Sequence, residues 1–126
     1  MATIALIRDN FEQVVNGNDM VVVDFWAPWC GPCKGFAPVF EATSEKHADI
    51  VFGKVNTEDE QELAASFNIR SIPTLMFFRE KVILFSQAGA LPGPALEQVI
   101  TQGIELDMAA VHKEIAERES SPQVKA

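Results

Sequence analysis

The fold is decided by the apolar run MVVVDFW at residues 20–26 and by the motif WCGPC at residues 29–33. A run of this kind, interrupted only by Asp24, is typical of a central strand that is buried on both faces. Two thiols separated by two residues can close a disulfide on each other, and the Gly-Pro pair fixes the turn between them. Because the chain has no other cysteine, Cys30 and Cys33 are predicted to be a dithiol that cycles between reduced and oxidised states.

Length and charge indicate one domain with an acidic surface. The chain has 126 residues, which is enough for one domain with its own core. Its net charge of −8 comes from 10 basic and 18 acidic side chains and argues against nucleic-acid partners. No apolar run has the length of a membrane span, and residues 1–8 do not have the pattern of a signal peptide. We therefore expect a cytoplasmic protein that binds no membrane, in which a cysteine pair indicates catalysis or metal binding.

The first part of the chain alternates between helix and strand signals. Asp9 and Glu12 have the spacing of a capping box, which predicts a short helix over 10–16. After the cysteines, apolar residues recur at helical spacing to about Ala48. Pro38 lies inside this helix, where its missing N–H is expected to produce a kink.

The second part continues the alternation. Residues 50–56 are predicted to be a strand, and a capping box at 57–60 opens a short helix. Two β-rich runs at 74–78 and 82–86 are typical of a hairpin, and the Pro-Gly-Pro sequence at 92–94 starts another helix. The order β-α-β-α-β-α-β-β-α predicts an α/β fold with a mixed sheet of about five strands and helices on both faces.

Helical spacing continues after this domain. Gly103 costs about 1 kcal/mol in a helix interior, so a kink or a break into a separate helix is expected there. The sequence thus predicts a domain over 1–104, a helical extension over 105–119 and a disordered tail over 120–126.

The cysteine motif and a second motif about forty residues later resemble the thioredoxin family. The first motif is Trp29-Cys30-Gly31-Pro32-Cys33-Lys34, and the second is Ile72-Pro73-Thr74. Further matching features are Asp24-Phe25-Trp26-Ala27, Pro38, Lys54 and Gly89-Ala90. The resemblance covers about residues 3–104 and implies a thioredoxin fold for that domain. Two features depart from the family: Lys81 stands where a turn glycine is usual, and residues from 105 onward lie outside the resemblance.

The two cysteines are expected to have different roles. Thiolate is the attacking species, and an ordinary cysteine with a pKa of about 8.5 is mostly protonated at neutral pH. Cys30 lies at the start of a helix, where unpaired N–H groups favour negative charge and should lower its pKa. Cys33 lies about one turn further in and should be less exposed. We therefore expect Cys30 to attack a disulfide and Cys33 to resolve the mixed disulfide.

Asp24 is the candidate proton acceptor. A carboxylate among apolar strand residues loses hydration, which raises its pKa toward neutral pH. It could then accept the proton of Cys33 directly or through one water. The alternative is an aspartate at a strand end with its carboxylate in water. The resemblance implies that Lys54 lies near Asp24 and holds its charge state, although a solvated lysine is an equally simple interpretation.

The resemblance also implies a substrate-binding surface around the cysteines. Pro73 would follow a cis peptide bond and face the cysteine pair, although cis bonds are uncommon before proline in general. The backbone of Ile72 would then pair with an extended segment of the substrate. The residues predicted to bind substrate are Trp29, Gly31, Pro32, Ile72, Pro73, Gly89 and Ala90.

A zinc site is one alternative use of the cysteines. Cys30 and Cys33 have the spacing of half a site, and the remaining candidate ligands are His47 and His112. Zinc fingers place their histidines three to five residues apart, whereas these two are far apart in the chain. We therefore predict no bound metal, with His47 near the end of its helix as a favourable cation.

A binding module is the other alternative. The apolar stripe of Met108, Val111 and Ile115 could hold a partner in a thioredoxin-like co-chaperone or docking protein. The simpler interpretations are that this stripe folds back onto the domain or pairs two copies of the chain, as a monomer or weak homodimer.

The combined interpretation is a protein-disulfide reductase. Gly-Pro between the cysteines resembles the reducing members of the family more than the oxidising or isomerising ones. The resemblance implies disulfide-containing client proteins as substrates and a flavin-dependent, NADPH-linked thioredoxin reductase as the electron donor. No cofactor is expected on this chain itself.

Overall fold

The computed structural model describes residues 2–120, which are built around one five-stranded sheet. The strands are β1 (Thr3–Ala5), β2 (Met20–Trp26), β3 (Val51–Asn56), β4 (Thr74–Arg79) and β5 (Val82–Ala88). The helices are α1 (Arg8–Gly17), α2 (Gly31–Glu45), α3 (Gln61–Ser66), α4 (Gly93–Glu105) and α5 (Met108–Ser120). None of the helices in this described part has both the length and the apolar composition to span a bilayer.

The sheet has the order β1-β3-β2-β4-β5. β1, β3 and β2 run parallel, while β4 is antiparallel to β2 and β5 is antiparallel to β4. The strand count and the mixed direction confirm the prediction of an α/β fold with about five strands.

The central strand β2 builds both halves of the core. Val21, Val23 and Phe25 pack with residues of α1 and α3, whereas Val22 packs with residues of α2 and α4. This division follows from strand geometry, in which successive side chains point to opposite faces. Helices on both faces explain why β2 is apolar almost throughout. The same alternation of side chains places Asp24 on the side of Val22.

The start of α1 differs from the predicted capping box. The helix begins at Arg8, so Asp9 lies within its first turn. The side chain of Asn10 supplies the contacts instead: its Oδ1 accepts the N–H of Ile7 at 2.8 Å, and its Nδ2 donates to the carbonyl of Ala5 at 3.1 Å. The amide can both accept and donate, which a carboxylate cannot do.

The capping box predicted at 57–60 is wrong. Helix α3 begins at Gln61, and Thr57 lies in the preceding turn. The backbone N–H and Oγ1 of Thr57 both donate to the carbonyl oxygen of Trp26, at 2.8 and 3.0 Å. Thr57 therefore ties the loop after β3 to the end of β2.

Helix α2 carries Pro38 in its interior and ends at Glu45, slightly before the predicted end at Ala48. The kink expected at Pro38 stays a prediction.

The hairpin between β4 and β5 confirms the prediction, and its turn contains no glycine. Glu80 and Lys81 have φ angles of 51° and 69°. Positive φ at two successive turn positions is the pattern of a type I′ turn, whose twist matches that of paired strands. Lys81 thus adopts a left-handed conformation that glycine would adopt at lower cost.

The predicted interruption of the C-terminal helical pattern lies later than Gly103. Gly103 stays inside α4, and the break falls at Leu106 and Asp107. Arg79 Nη1 donates to the carbonyls of Gly103, Ile104 and Leu106 at 2.8, 2.9 and 3.0 Å. It thereby satisfies acceptors at the helix end that have no partner within the helix. The Oδ1 atom of Asp107 accepts an N–H of the next helix at 3.2 Å.

The apolar stripe of helix α5 packs against the rest of the chain. Met108 is buried, and Val111 and Ile115 are half-buried. His112 Nε2 lies 2.7 Å from Glu80 Oε1, which links α5 to the hairpin turn. The helix therefore folds back at the end of the sheet away from the cysteines, one of the two arrangements expected from the sequence. Residues 121–126 of the predicted tail lie outside the described residues, whereas Ser120 belongs to α5.

Gly103 is predicted to be required for packing α4 on the sheet. A Cβ atom at this position would lie 2.3 Å from the ring of Phe77, which is 1% exposed and cannot move aside. Gly103→Ala should lower the free energy of unfolding by about 1–3 kcal/mol, measured by denaturant titration. Gly35→Ala is the matched control, since a Cβ there meets no atom within 4 Å. That variant should gain about 0.5–1 kcal/mol, and an equal gain at Gly103 would contradict the packing argument.

Candidate active site

Cys30 and Cys33 form a disulfide at the N-terminus of α2, with their Cα atoms 5.2 Å apart. Cys30 is the N-cap residue, and its Sγ accepts the backbone N–H of Cys33 at 3.2 Å. Both cysteines are buried, with 5% and 2% of their surface exposed, in a cluster with Ala27, Trp26 and Ile72. A sulfur at this place meets the unpaired N–H groups of the first helical turn, which favour negative charge.

The backbone reaches this position through a short connection from β2. The strand ends at Trp26, and the N–H of Cys30 donates to the carbonyl of Ala27 at 3.2 Å. Gly31 and Pro32 are exposed in the first turn of α2. Proline is tolerated there because the first N–H groups of a helix have no intrahelical acceptor. The cysteines are therefore held between a buried strand and a long helix.

Asp24 is a wholly buried carboxylate, with 0% of its surface exposed. By the alternation of β2 it lies on the side of Val22, which is covered by α2 and α4. Neither of its oxygens has a hydrogen-bond partner among the described residues. Burial raises the pKa of Asp24 from 3.8 to about 7, and the positive charge of Lys54 acts in the opposite direction. The alternative of a hydrated strand-end aspartate does not fit this burial.

Lys54 occupies the position next to Asp24 in the sheet. The two residues are register partners on the parallel strands β3 and β2. The Nζ atom of Lys54 lies 4.9 Å from the centre of the Trp26 ring, a cation–π geometry. Within residues 2–120 no carboxylate lies at ion-pair distance from this ammonium group. Lys54 is thus held by an aromatic face and acts on Asp24 through its charge.

The peptide bond between Ile72 and Pro73 is cis, as the resemblance implied. The carbonyl oxygen of Ile72 lies 3.7 Å from Cys30 Sγ. Pro73 is buried, and its carbonyl accepts the N–H of Gly89 at 2.8 Å. Gly89 has a φ of 106°, a conformation that favours glycine, and it is exposed together with Ala90. The segment before β4 therefore lies against the cysteines and connects them to the end of β5.

The predicted substrate-binding residues differ in exposure. Trp29 is 69% exposed, and its Nε1 donates to the carboxylate of Glu58. Gly31, Pro32, Gly89 and Ala90 are exposed, Ile72 is half-buried and Pro73 is buried. Because Pro73 is buried, it contributes little exposed surface to the expected flat patch.

Sequence reasoning missed three residues around the site. Trp26 contacts both the cysteine cluster and Lys54, and Thr57 fixes the carbonyl of Trp26. Glu58 holds the ring of Trp29. A signal for the last two existed in the sequence, because the residues after β3 must lie beside the end of the parallel strand β2. No local pattern identifies Trp26 as a neighbour of Lys54.

The two histidines lie away from the cysteines. His47 Nε2 lies 2.9 Å from Glu97 Oε2 on α4, and His112 pairs with Glu80. No group of three or more histidine, cysteine or acidic side chains in the described part of the chain is arranged to hold a metal ion. The residues needed for the zinc alternative are thus not brought together there.

Comparison with known proteins places these features in one family. The family model "Thioredoxin" matches residues 2–102. The chain is 53% identical over 119 residues to a putative thioredoxin 2 of Streptomyces coelicolor, covering 94% of this chain and 89% of the relative. It is 42% identical over 107 residues to a thioredoxin of Haemophilus influenzae, covering 82% and 100%. A solved structure of a mutant thioredoxin from Halobacterium salinarum superposes with a TM-score of 0.77 at 30% identity, covering 82% and 92%.

The burial of Asp24 predicts a pH-dependent stability. Its pKa is about 7 in the folded chain, so below that pH the folded state keeps a proton that the unfolded chain loses near pH 3.8. Stability should therefore fall as the pH rises from about 4 to 7. Asp24→Asn should raise the free energy of unfolding by roughly 2–4 kcal/mol at pH 8 and change it little at pH 4, measured by denaturant titration.

The matched control is Asp49→Asn, at an exposed aspartate. Its effect on the free energy of unfolding should be small at both pH values. A gain for Asp24→Asn that is equal at pH 4 and pH 8 would contradict the assignment.

Proposed function

The chain belongs to the thioredoxin family, and from this membership we propose the role of each active-site residue in the reaction. The protein is a thiol–disulfide oxidoreductase that reduces protein disulfides by dithiol–disulfide exchange at Cys30 and Cys33. The observation that carries the proposed roles is the position of Cys30 Sγ at the N-terminus of α2, where it accepts the N–H of Cys33.

The exchange proceeds in two sulfur-transfer steps. In the reduced protein, Cys30 is the thiolate, because the α2 N-terminus stabilises its negative charge and lowers its pKa. The Cys30 thiolate attacks one sulfur of the client disulfide, so that a mixed disulfide forms and the other client sulfur leaves as a thiolate. Cys33 then attacks Cys30 Sγ and releases the second client thiolate. The two electrons have passed to the client, and Cys30 and Cys33 end as the disulfide.

Asp24 acts as the base for the second step. Cys33 must lose its proton before it attacks, and the carboxylate of Asp24 accepts that proton directly or through one water. Support comes from the pKa of Asp24, which is about 7, and from its place on the side of β2 that α2 covers. Lys54 favours the carboxylate form and keeps this pKa from rising further.

The client docks on the exposed surface around the disulfide. Trp29 supplies an aromatic contact, with Gly31, Pro32, Gly89 and Ala90 around the cysteines. The backbone of Ile72 pairs with an extended segment of the client, which brings the client disulfide to Cys30. The proximity of the Ile72 carbonyl to Cys30 Sγ supports this arrangement.

Thioredoxins exchange with protein disulfides and are reduced by thioredoxin reductase, and we propose an NADPH-dependent, flavin-containing reductase as the donor for this chain. We place the protein in the cytoplasm, because net reduction of disulfides needs a compartment that maintains such a donor. The chain is proposed to act as a monomer or weak homodimer.

We propose that residues 1–104 are the catalytic domain and that 105–119 are a structural extension. Support comes from the family match, which ends at residue 102, and from α5, whose His112 contacts the hairpin turn far from Cys30.

The roles of the cysteines are tested by trapping. Cys33→Ser should stop turnover with NADPH and reductase and accumulate mixed disulfides with a model disulfide protein, because no second thiol can release the client. Cys30→Ser is the control and should trap no client. The adducts are counted by non-reducing electrophoresis and mass spectrometry, and equal trapping by both variants would reverse or remove the assigned roles.

The role of Asp24 is tested by the pH profile. Fully reduced Asp24→Asn should reduce a disulfide substrate at least about tenfold more slowly between pH 7 and 8.5, where the native residue is a carboxylate able to accept a proton. Below about pH 6 the rates should converge, because the native Asp24 is then protonated. The rate is measured in single-turnover experiments, and a profile identical to that of the unchanged chain would remove Asp24 from the mechanism.

A further inference from the structure

We propose that Trp26 is a positioning residue for the proton-transfer step, since its indole face fixes the Lys54 ammonium beside Asp24. The proposal deepens the function above and rests on the role given there to Asp24. Three contacts carry it: the cation–π contact between Trp26 and Lys54, the register pairing of Lys54 with Asp24, and the backbone anchoring of Trp26.

The position of Trp26 is fixed independently of Lys54. Its carbonyl accepts two hydrogen bonds from Thr57, at 2.8 and 3.0 Å. Its backbone pairs with Asn56 at the end of the β2–β3 ladder, and its side chain packs against the cysteine cluster. The ring is therefore a rigid surface, on which a flexible lysine side chain can be held with one orientation.

Lys54 needs such a surface because its surroundings offer other places for a cation. A cavity of about 430 Å³ is lined by Lys54 and Trp26 and by the acidic residues Glu41, Asp59 and Glu60. A free lysine side chain could turn into this cavity toward those carboxylates and away from Asp24. Its distance from Asp24 would then increase, and its electrostatic effect on that carboxyl would weaken.

The competing carboxylates are held by other donors. Glu41 accepts the N–H of Ala2 and the hydroxyl of Thr3, and the Thr3 hydrogen bond keeps the pKa of Glu41 below its usual value. Glu60 accepts the N–H of Arg8 at 2.8 Å, and Asp59 accepts from the Asn56 amide at 3.3 Å. These contacts and the Trp26 ring together leave the Lys54 charge on the side of Asp24.

The consequence is a specific effect on Asp24. Lys54 lowers the pKa of Asp24 against the effect of burial, so loss of the indole face should let that pKa rise. Titration is best followed in the oxidised protein, because Cys30 and Cys33 do not titrate as a disulfide. The other titratable groups of the cavity that Lys54 lines are Glu41, Asp59 and Glu60.

The test is a double-mutant cycle between Trp26 and Lys54, read by the NMR titration of the Asp24 carboxyl carbon. Trp26→Leu should raise the titration midpoint by about 0.5 pH unit, since an aliphatic side chain offers no cation–π face. Trp26→Phe should raise it less, because a benzene ring keeps a weaker face, and this variant serves if the leucine variant fails to fold. In a Lys54→Met background, neither change at Trp26 should move the midpoint further.

Two results would overturn the proposal. One is an unchanged midpoint in both Trp26 variants. The other is an equal shift with and without Lys54, which would mean that Trp26 acts on the burial of Asp24 and not on the ammonium group.

A kinetic measurement separates this proposal from the role of Asp24 as a base. Reduced Trp26→Leu should be about twofold slower at pH 7 and unchanged at pH 8.5, following the carboxylate fraction of Asp24. If the midpoint shifts as expected in the cycle but the rate of disulfide reduction at pH 7 is unchanged, the positioning of Lys54 stands and the base assignment to Asp24 fails.

Discussion

The burial of Asp24 in the central strand is the constraint that shapes both the stability and the chemistry of this protein. The packing of helices on both faces of β2 removes apolar side chains from water and stabilises the fold. The same packing removes one carboxylate from water, and the cost is expressed as a pKa of about 7. The packing that stabilises the sheet thus also produces a carboxyl group that titrates near neutral pH.

Helix α2 places the two cysteines near the face of the sheet that holds Asp24. Its N-terminus follows closely after β2, so that Cys30 meets the unpaired N–H groups of the first turn while Cys33 lies inside the helix. Its inner face covers the side of the sheet on which Asp24 and Lys54 lie. One strand and one helix therefore bring together a sulfur favoured as an anion and a carboxyl that can exchange a proton. Their close connection in the chain leaves little freedom between the two groups.

The opposite end of the sheet is fixed by polar contacts. Arg79 satisfies three carbonyls at the end of α4, and Glu80 in the hairpin turn pairs with His112 of α5. These contacts hold α5 against the hairpin turn, where Met108 is buried and Val111 and Ile115 are half-buried. The extension therefore contacts the end of the sheet that lies far from the cysteines.

Apolar periodicity and cysteine spacing are local properties of the chain, so they sufficed to predict the main elements and the reactive pair. The apolar run of β2, the hairpin before and after Glu80 and the helix after Cys30 could all be predicted in this way. The folded chain was needed to learn what Asn10, Thr57 and Asp107 do at the turns, and that the ring of Trp26 meets Lys54. Those contacts join residues from different elements, or depend on which polar group lies nearest in the folded chain. Strand register and helix packing set such distances, and neither is encoded in any short stretch of residues.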